Sequence, residues 1–203
     1  DNNGNKLFKN RITHLVDLTW DERHTLQREL YELVTTYVSK TYNKALRNRK
    51  KNMCLIFLLI IMQRMVTSST AAIRQSLERR LEVLKSQSAK IGSLTEEDLI
   101  ELDIEDGVDE ALEAISLDIR EEIGELEHII AVAKQAEFQH LDVKVEKLVD
   151  TVDEIISEDE EQKIIIFTEF VATQQYLQNL LVSKGYSVSI LNGSMNIDER
   201  NEA

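Results

Sequence analysis

Residues 163–191, KIIIFTEFVATQQYLQNLLVSKGYSVSIL, combine two short apolar runs with a helical pattern between them. The first run, residues 164–167, is continuous and β-branched, as is typical of a parallel strand buried on both faces. Apolar residues then recur at helical spacing as far as Lys184-Gly185, a basic last turn followed by a C-cap glycine. Residues 186–191 alternate as a second strand and lead to an Asn192-Gly193 turn. The pattern predicts one right-handed βαβ crossover.

The composition predicts a mainly helical protein. The 203 residues include no proline and only 6 glycines, so few residues interrupt helices. The single cysteine, Cys54, excludes an internal disulfide framework and a cysteine-ligated zinc, which fits a reducing, cytoplasmic setting. Cys54 belongs to the apolar run at residues 53–62, which is too short to span a bilayer. Because this run is apolar almost all round, we expect it to be a buried core helix.

The charge is distributed unevenly along the chain. The net charge is -13, yet residues 1–90 carry 17 basic and 8 acidic side chains, whereas residues 91–203 carry 7 and 29. A basic half favours a polyanionic partner, because neutralising phosphates releases counterions. The pattern is equally consistent with two sets of solvated helix faces that attract each other.

Periodic apolar stripes predict several helices between residues 18 and 156. Thr19-Trp20-Asp21-Glu22 fits a capping box at the start of the first helix, and residues 67–70 offer several N-caps for a later one. The stripes, spaced by three or four residues, are Leu26, Leu30, Leu33, Tyr37, Thr41 and Ala45; Ile73, Leu77, Leu81 and Leu84; Leu112, Ile115, Ile119, Ile123, Leu126, Ile130 and Ala133; and Leu141, Val145, Leu148, Val152 and Ile155.

The predicted organisation has four parts. Residues 1–17 are a polar leader, and residues 18–156 form a helical module with a candidate hinge at residues 91–95, where Gly92-Ser93 breaks the pattern. Residues 157–162 are an acidic connector with nothing to bury. Residues 163–203 are expected to begin an α/β lobe with a parallel sheet. The predicted fold class is therefore mainly α with an incomplete α/β carboxyl-terminal part.

Several short motifs occur in an order that is found in one family. They are residues 61–73 (IMQRMVTSSTAAI), residues 77–80 (LERR), Asp142, Lys144 and Leu148, residues 167–170 (FTEF), and residues 191–195 (LNGSM) followed by Arg200. In this order and spacing they resemble the inter-lobe region and the start of the second lobe of Snf2-type superfamily 2 helicases, particularly the bacterial branch containing the RNA polymerase-associated ATPase. The resemblance covers nearly the whole chain and implies that residues 163–203 are the amino-terminal part of a second RecA-like lobe.

The resemblance implies an ATP-driven translocase on duplex DNA, whose full-length form uses ATP and Mg²⁺. This chain has no Gly-x-x-x-x-Gly-Lys-Ser/Thr loop. Its nearest match to an Asp-Glu box, Val152-Asp153-Glu154, lies in a helical stripe, and the family's arginine finger would lie beyond Ala203. We therefore expect this chain alone to hold neither ATP nor Mg²⁺ and to be inactive, and no catalytic, cofactor-binding or metal-binding residue is assigned.

Two groups of residues are predicted to contact nucleic acid. The resemblance places Thr168, Asn192, Gly193 and Ser194 near the DNA backbone, and small residues at strand ends expose N–H groups to phosphate oxygens. Without the family, Asn192-Gly193 is also consistent with a simple tight turn. The second group, Arg47, Arg49, Lys50 and Lys51, is the most concentrated charge in the chain and a candidate phosphate contact. A solvated basic loop is the alternative interpretation of that group.

Other kinds of site are not indicated by the sequence. His14, His24, His128 and His140 lack the spacing that puts two metal ligands on one helical face, and they are expected at the surface. Cys54, expected to be buried, is not a candidate nucleophile.

Two other functions are consistent with the sequence. One is a non-enzymatic helical interaction module whose acidic helices dock a basic partner, and the other is part of an RNA-directed superfamily 2 helicase. No membrane partner is expected. Because an incomplete parallel sheet leaves open strand edges, we also expect homo-oligomers or exchange of elements between copies.

Overall fold

The structure is helical in the part of the chain that it describes. The computed structural model describes residues 12–47, 49–50, 52–92, 108–140, 142–193 and 195–202. After a 3₁₀ turn at Glu22–His24, the helices are α1 (Thr25–Leu46), α2 (Met53–Val66), α3 (Thr70–Gly92), α4 (Val108–Gln139), α5 (Val143–Glu158), α6 (Val171–Ser183) and α7 (Ile197–Glu202). Residues 1–11 of the predicted leader, residues 93–95 of the predicted hinge, and the predicted site residues Lys51 and Ser194 lie outside the described residues.

The predicted fold class, mainly α with an incomplete α/β carboxyl-terminal part, is wrong. Residues 163–167 and 186–191 flank α6 as non-helical segments, but neither is a strand, and the described residues contain no sheet. Ile165 and Phe167, expected to be buried on both faces of a sheet, are 78% and 90% exposed. The reason is that α5 and α6 cover only one side of these segments and no neighbouring strand covers the other. Of the predicted βαβ unit, only the helix α6 is confirmed.

The larger of two apolar cores lies among α1, α2, α3 and α4. Its buried side chains are Leu30, Val34, Tyr37 and Val38 of α1, Leu59 and Met62 of α2, Ile73, Leu77 and Leu84 of α3, and Leu126, Ile129, Ile130, Val132 and Ala133 of α4. In each helix most of these residues are three or four positions apart and so share one face. The helices predicted from the apolar stripes are confirmed where their side chains are described.

The helix α2 is less buried than its sequence predicted. Ile56, Leu59 and Met62 are buried, but Phe57 is exposed, as is Cys54. Because α2 packs on α1 and α3, its opposite face meets solvent. The predicted burial is therefore wrong for the outer face of this helix and for the cysteine. None of the helices in the described ranges has the length and apolar character needed to cross a bilayer.

Opposite charges join the basic helices α1 and α3 to the acidic helix α4. The ion pairs are Lys40–Glu125 (2.8 Å), Lys44–Asp118 (2.6 Å), Arg74–Glu137 (2.8 Å), Arg80–Glu122 (2.8 Å), Lys85–Glu127 (2.7 Å) and Glu78–Lys134 (3.0 Å). Several of these side chains are largely exposed, so a single pair contributes little to stability. Together the pairs confirm the interpretation in which the two halves of the chain attract each other.

One of these ion pairs is partly buried and includes a tyrosine. Glu122 accepts hydrogen bonds from Nε and Nη2 of Arg80 at 3.0 and 2.8 Å, and from Oη of Tyr37 at 2.7 Å. Burial, followed by the negative charge of Glu122, raises the pKa of Tyr37, so the phenol remains a donor. Charge-assisted bonds of this kind have a specific geometry, and they fix α1, α3 and α4 relative to one another.

A smaller core joins α5 and α6. Val145, Val149 and Val152 of α5 meet Leu177 and Leu181 of α6, and Ile164, Tyr186 and Val188 of the two flanking segments pack partly against them. This core is the only apolar cover that the flanking segments have among the described residues. The position of this second core relative to the larger one therefore depends on the contacts that hold α5 and α6 against α1–α4.

The glycine that was predicted to end α6 is confirmed. Gly185 has a φ of 95°, which side chains other than glycine rarely tolerate. Its N–H donates to the carbonyl of Val182 at 2.9 Å, and the N–H of Tyr186 donates to that of Leu181 at 3.0 Å. These two bonds form a Schellman motif, which turns the chain out of the helix.

We predict that Leu126→Ala lowers the free energy of unfolding by about 3 kcal/mol, because it opens a cavity in the larger core. Leu126 is fully buried in α4, whereas Leu117 of the same helix is 58% exposed. Leu117→Ala is therefore the matched control, with an expected loss within about 0.5 kcal/mol. Urea unfolding followed by circular dichroism measures both, and equal losses would contradict this arrangement of α4.

Candidate functional site

A cluster of buried polar side chains lies where the two apolar cores meet. Its members are Ser68 and Ser69 before α3, Thr70 at the start of α3, Asp142 before α5, and Thr173 in the first turn of α6. All except the partly exposed Ser68 are buried. We call these five residues the polar junction. They bring together three parts of the chain that are far apart in sequence.

Asp142 connects α3 to α5. Its Oδ2 accepts hydrogen bonds from the backbone N–H and the hydroxyl of Thr70, at 3.1 and 3.2 Å, and its Oδ1 accepts from the N–H of Lys144 at 3.0 Å. Asp142 is thus the N-cap of α5 and also satisfies the first N–H of α3. One carboxylate therefore fixes the starting points of two helices.

Thr173 connects α6 to the turn before α3. Its hydroxyl lies 2.8 Å from Oγ of Ser69 and 3.0 Å from Oγ of Ser68. Ser69 also accepts a hydrogen bond from the N–H of Ala72 at 3.1 Å, which confirms the N-cap predicted among residues 67–70. Since Thr173, Leu177 and Leu181 are four residues apart, the threonine is the polar member of an otherwise apolar face of α6.

A cleft of about 450 Å³ opens beside the polar junction. Its walls include Arg64 and Thr67 at the end of α2, Lys144 in the first turn of α5, and Phe167 and Thr168 before α6. Phe170, at the N-cap of α6, makes no side-chain cap hydrogen bond. From this helix, Phe170, Thr173 and Leu177 line the cleft, so it lies beside the first two turns of α6.

Two cations and one carboxylate set the charge of the cleft. Nη2 of Arg64 donates to Glu169 at 2.8 Å, and Nζ of Lys144 donates to the carbonyl of Thr67 at 2.6 Å. Glu169 neutralises one positive charge, so these three side chains leave one net positive charge. A net positive charge of this kind attracts anions.

A tyrosine on the far side of the junction titrates well above its usual range. Burial, then the negative charges of Asp142 and Glu137, raise the pKa of Tyr176 to about 12. Tyr176 and Asp142 line the same small cavity with Gln27 and Thr70. The space available there, about 10 Å³, is close to that of one water molecule.

Thr168, Asn192 and Gly193 lie near the amino-terminal end of α6. Thr168 is partly buried in the wall of the cleft. Nδ2 of Asn192 donates to Oε1 of Gln174 at 3.1 Å, and Nε2 of Gln174 donates to the carbonyl of Leu191 at 2.9 Å. Because Gln174 belongs to the first turn of α6, it holds the predicted Asn192-Gly193 turn at the same end of the helix as Thr168.

Gly193 is exposed, and nothing lies within 4 Å of the position that a Cβ would occupy. The structure therefore gives no steric reason for a glycine at this turn. Close approach of a phosphate backbone would supply such a reason.

The second predicted group lies at the other end of α2. Arg47, Arg49 and Lys50 are exposed in the connection from α1 to α2, which we call the basic connection. Arg64, which lines the cleft, is near the carboxyl end of α2, so the length of this helix, about 20 Å, separates the two groups. Thr168, Asn192 and Gly193 thus lie near the amino-terminal end of α6. The basic connection lies at the other end of α2, away from them.

The structure also shows where the histidines' and the capping box's residues lie among the described residues. His24 is buried, against the expectation of surface histidines: its Nδ1 lies 2.9 Å from Asp21 and its Nε2 lies 3.3 Å from Glu146. The capping box forms between Asp21 and His24 and not at Thr19, because the first helical turn begins one residue after Asp21. No group of three potential metal ligands occurs among the residues that the structure describes.

The Val152-Asp153-Glu154 sequence lies inside α5, as predicted, and Asp153 accepts a hydrogen bond from the hydroxyl of Tyr186. It is therefore part of the packing between α5 and the segment after α6. The cleft is lined by hydroxyl groups, by the cations Arg64 and Lys144, by the carboxylate of Glu169, and by apolar side chains such as Leu148 and Phe167.

Sequence reasoning singled out four of the five residues of the polar junction but not the bonds that join them. Asp142 and residues 67–70 were singled out as motif and capping residues, but their bond to each other was not predicted. Thr173 was missed, although a hydroxyl on the apolar face of α6 was a visible signal that a buried partner exists. Comparison of the chain with protein-family models, with curated proteins and with solved structures finds no match.

We predict that Asp142→Ala lowers the free energy of unfolding by about 3 kcal/mol, because α5 loses its N-cap and the buried N–H of Thr70 loses its acceptor. The matched control is Asp150→Ala, which removes an exposed aspartate of α5 and should cost within about 0.5 kcal/mol. Urea unfolding measures both changes. If the two variants were equally stable, Asp142 would not be the link between α3 and α5.

Proposed function

We propose that this chain contacts the phosphate backbone of duplex DNA and is part of a cytoplasmic Snf2-like, ATP-driven translocase. The observation that carries the proposal is the cleft lined by Thr168, Arg64 and Lys144 beside the start of α6. Phosphate oxygens accept hydrogen bonds from hydroxyl groups and from cationic side chains. Contacts of this kind position a duplex without reading its sequence.

The convergence of the family-like segments supports the proposal. Residues 61–73, residues 142–148 and residues 167–170 resemble separate motifs of Snf2-type helicases, and they meet at the polar junction and its cleft. The bonds between them join residues 72 to 105 positions apart in sequence. Motifs that act on one ligand must lie close together in space, as these segments do.

We propose that this chain by itself holds neither ATP nor Mg²⁺. No phosphate-binding loop of the P-loop type occurs in the sequence. The carboxylate of Asp153, which lies in α5, already accepts a hydrogen bond from the hydroxyl of Tyr186. In our proposal the nucleotide is held by residues outside this chain. The chain itself contributes part of the track for the nucleic acid.

Replacement of Lys144 tests the contact with DNA. We predict that Lys144→Gln weakens the binding of a short fluorescent duplex severalfold, because one ammonium group leaves the cleft, and lowers the slope of log K against log salt by about 1. Fluorescence anisotropy at several salt concentrations measures both quantities. The matched control is Lys147→Gln, since Lys147 is also exposed on α5 but lines a different cavity, with Asp17 and Asp21.

Equal weakening by the two lysine variants would mean that DNA responds only to net charge, and the cleft would then be excluded as its site. In the intact protein that contains this chain, duplex DNA should stimulate ATP hydrolysis and RNA should not. Stimulation by RNA alone would assign the chain to an RNA-directed helicase instead.

A second candidate function is a non-enzymatic helical interaction module. The observation that favours it is the absence of a sheet from the described residues, which leaves a bundle of helices without a nucleotide-binding framework. An intact protein without ATPase activity would support this function. The acidic helix α4 is less available to a basic partner than the sequence predicted, because five of its carboxylates pair with basic side chains of α1 and α3.

We also propose that the chain forms homo-oligomers or exchanges elements between copies. The support is the exposure of Ile165, Phe167 and Leu191 in the two segments that flank α6. Apolar side chains that are exposed close together favour association. A monomer in sedimentation at micromolar concentration contradicts this part of the proposal.

A further inference from the structure

The outer face of α2 carries an apolar stripe that no other part of the described chain covers. Met53, Phe57 and Ile60 are 53%, 64% and 47% exposed. They are four and three residues apart, so they lie in one row along the helix. The opposite face of α2 already supplies Leu59 and Met62 to the larger core. We call the three exposed residues the outer stripe.

A groove of about 450 Å³ runs beside the outer stripe, between α1 and α2. Val38 and Tyr42 of α1 and Ile60 and Arg64 of α2 are among the residues that line it. Stripe and groove together form an apolar surface with a ridge and a channel. The side chains of an amphipathic helix fill such a groove with residues spaced by three, four and seven positions.

One end of this surface is positively charged. The basic connection, Arg47, Arg49 and Lys50, precedes the first residue of the outer stripe, whereas Arg64, which follows the last, is paired with Glu169. Lys40 and Lys44 of α1 pair with carboxylates of α4. By contrast, no carboxylate in the described ranges forms an ion pair with Arg47, Arg49 or Lys50, which leaves their charges for a partner.

We propose that the outer stripe and its groove bind an acidic amphipathic helix of a partner protein, with carboxylates of that helix against the basic connection. Duplex DNA fits less well, because its charged phosphates do not pack against an exposed row of methionine, phenylalanine and isoleucine. A second copy of this chain would bring the two basic connections together in a parallel two-fold interface, and sedimentation of the stripe variant tests the antiparallel one.

A synthetic peptide tests the proposal directly. The probe is a fluorescent amphipathic peptide of about 14 residues, the length of α2, with leucines on one face and glutamates on the other. A second peptide has lysine in place of each glutamate. We expect the acidic peptide to bind the full chain with a micromolar Kd and the basic peptide to bind at least tenfold more weakly.

Two variants separate the apolar and the charged parts of the surface. Phe57→Ser with Ile60→Ser should weaken binding of the acidic peptide about tenfold, because the stripe loses its anchors. Arg49→Glu with Lys50→Glu should weaken it by a similar factor and reduce its dependence on salt. The matched control is Leu117→Ser, which changes an equally exposed apolar side chain on α4.

Three outcomes would overturn the proposal. The first is that the stripe variant binds the acidic peptide as tightly as the unchanged chain. The second is that duplex DNA binding is lost in the charge-reversed variant while neither peptide binds, which would make the basic connection a nucleic-acid contact. The third is a dimer in sedimentation that the stripe variant dissociates, which would make a second copy the occupant. The second outcome also bears on the cleft beside α6, but the Lys144→Gln and Lys147→Gln variants test that site independently, so the failure of one proposal is distinguishable from the failure of the other.

Discussion

The carboxylate of Asp142 and the hydroxyl of Thr173 hold α5 and α6 against the four-helix core, and the cleft depends on them. Asp142 accepts hydrogen bonds at the starts of α3 and α5, and Thr173 bonds both serines that precede α3. Buried polar groups are costly unless they are satisfied, so the junction stabilises only the one arrangement in which these donors and acceptors meet. The apolar contacts of α5 and α6 with each other do not specify that arrangement. The junction therefore gives the position of α6, and with it the position of Phe170, Thr173 and Leu177, which line one wall of the cleft.

The uneven charge of the sequence has a structural explanation within the chain. The basic side chains of α1 and α3 meet the acidic side chains of α4, and the partly buried contact of Arg80 and Tyr37 with Glu122 fixes the register of these helices. Much of the charge that suggested a polyanionic partner is consequently used internally. Among the exposed cations of the described residues that form no ion pair, Lys144 lies at the cleft and Arg47, Arg49 and Lys50 lie together in the basic connection, at opposite ends of α2. This distribution is why we assign DNA to the cleft and an acidic helix to the outer face of α2.

The helices could be predicted from the sequence, because each depends on a periodic pattern that the chain carries locally. The stripe of α1 and the C-cap glycine at Gly185 are examples. The sheet was predicted wrongly, because a β-branched run such as residues 164–167 shows that a segment disfavours a helix but does not supply the neighbouring strands. The burial of α2 was overestimated for a related reason. Phe57 is an apolar residue, but no second layer of helices in the described residues covers it. The polar junction left no periodic signal, since its bonds join residues 72 to 105 positions apart. Of the site, the sequence and its resemblance singled out Thr168, Asn192 and Gly193, which lie at one end of α6, but they did not indicate Thr173 or the separation of the basic connection.

A double-mutant cycle between Ser69 and Thr173 tests most directly whether the junction couples the two cores. Ser69→Ala, Thr173→Val and the combined variant would be compared by their free energies of unfolding in urea. Because both side chains are buried and bond each other, we expect a coupling energy of about 1 kcal/mol. Additive losses, within about 0.3 kcal/mol, would contradict the account and would mean that α6 is held in place by its apolar contacts alone.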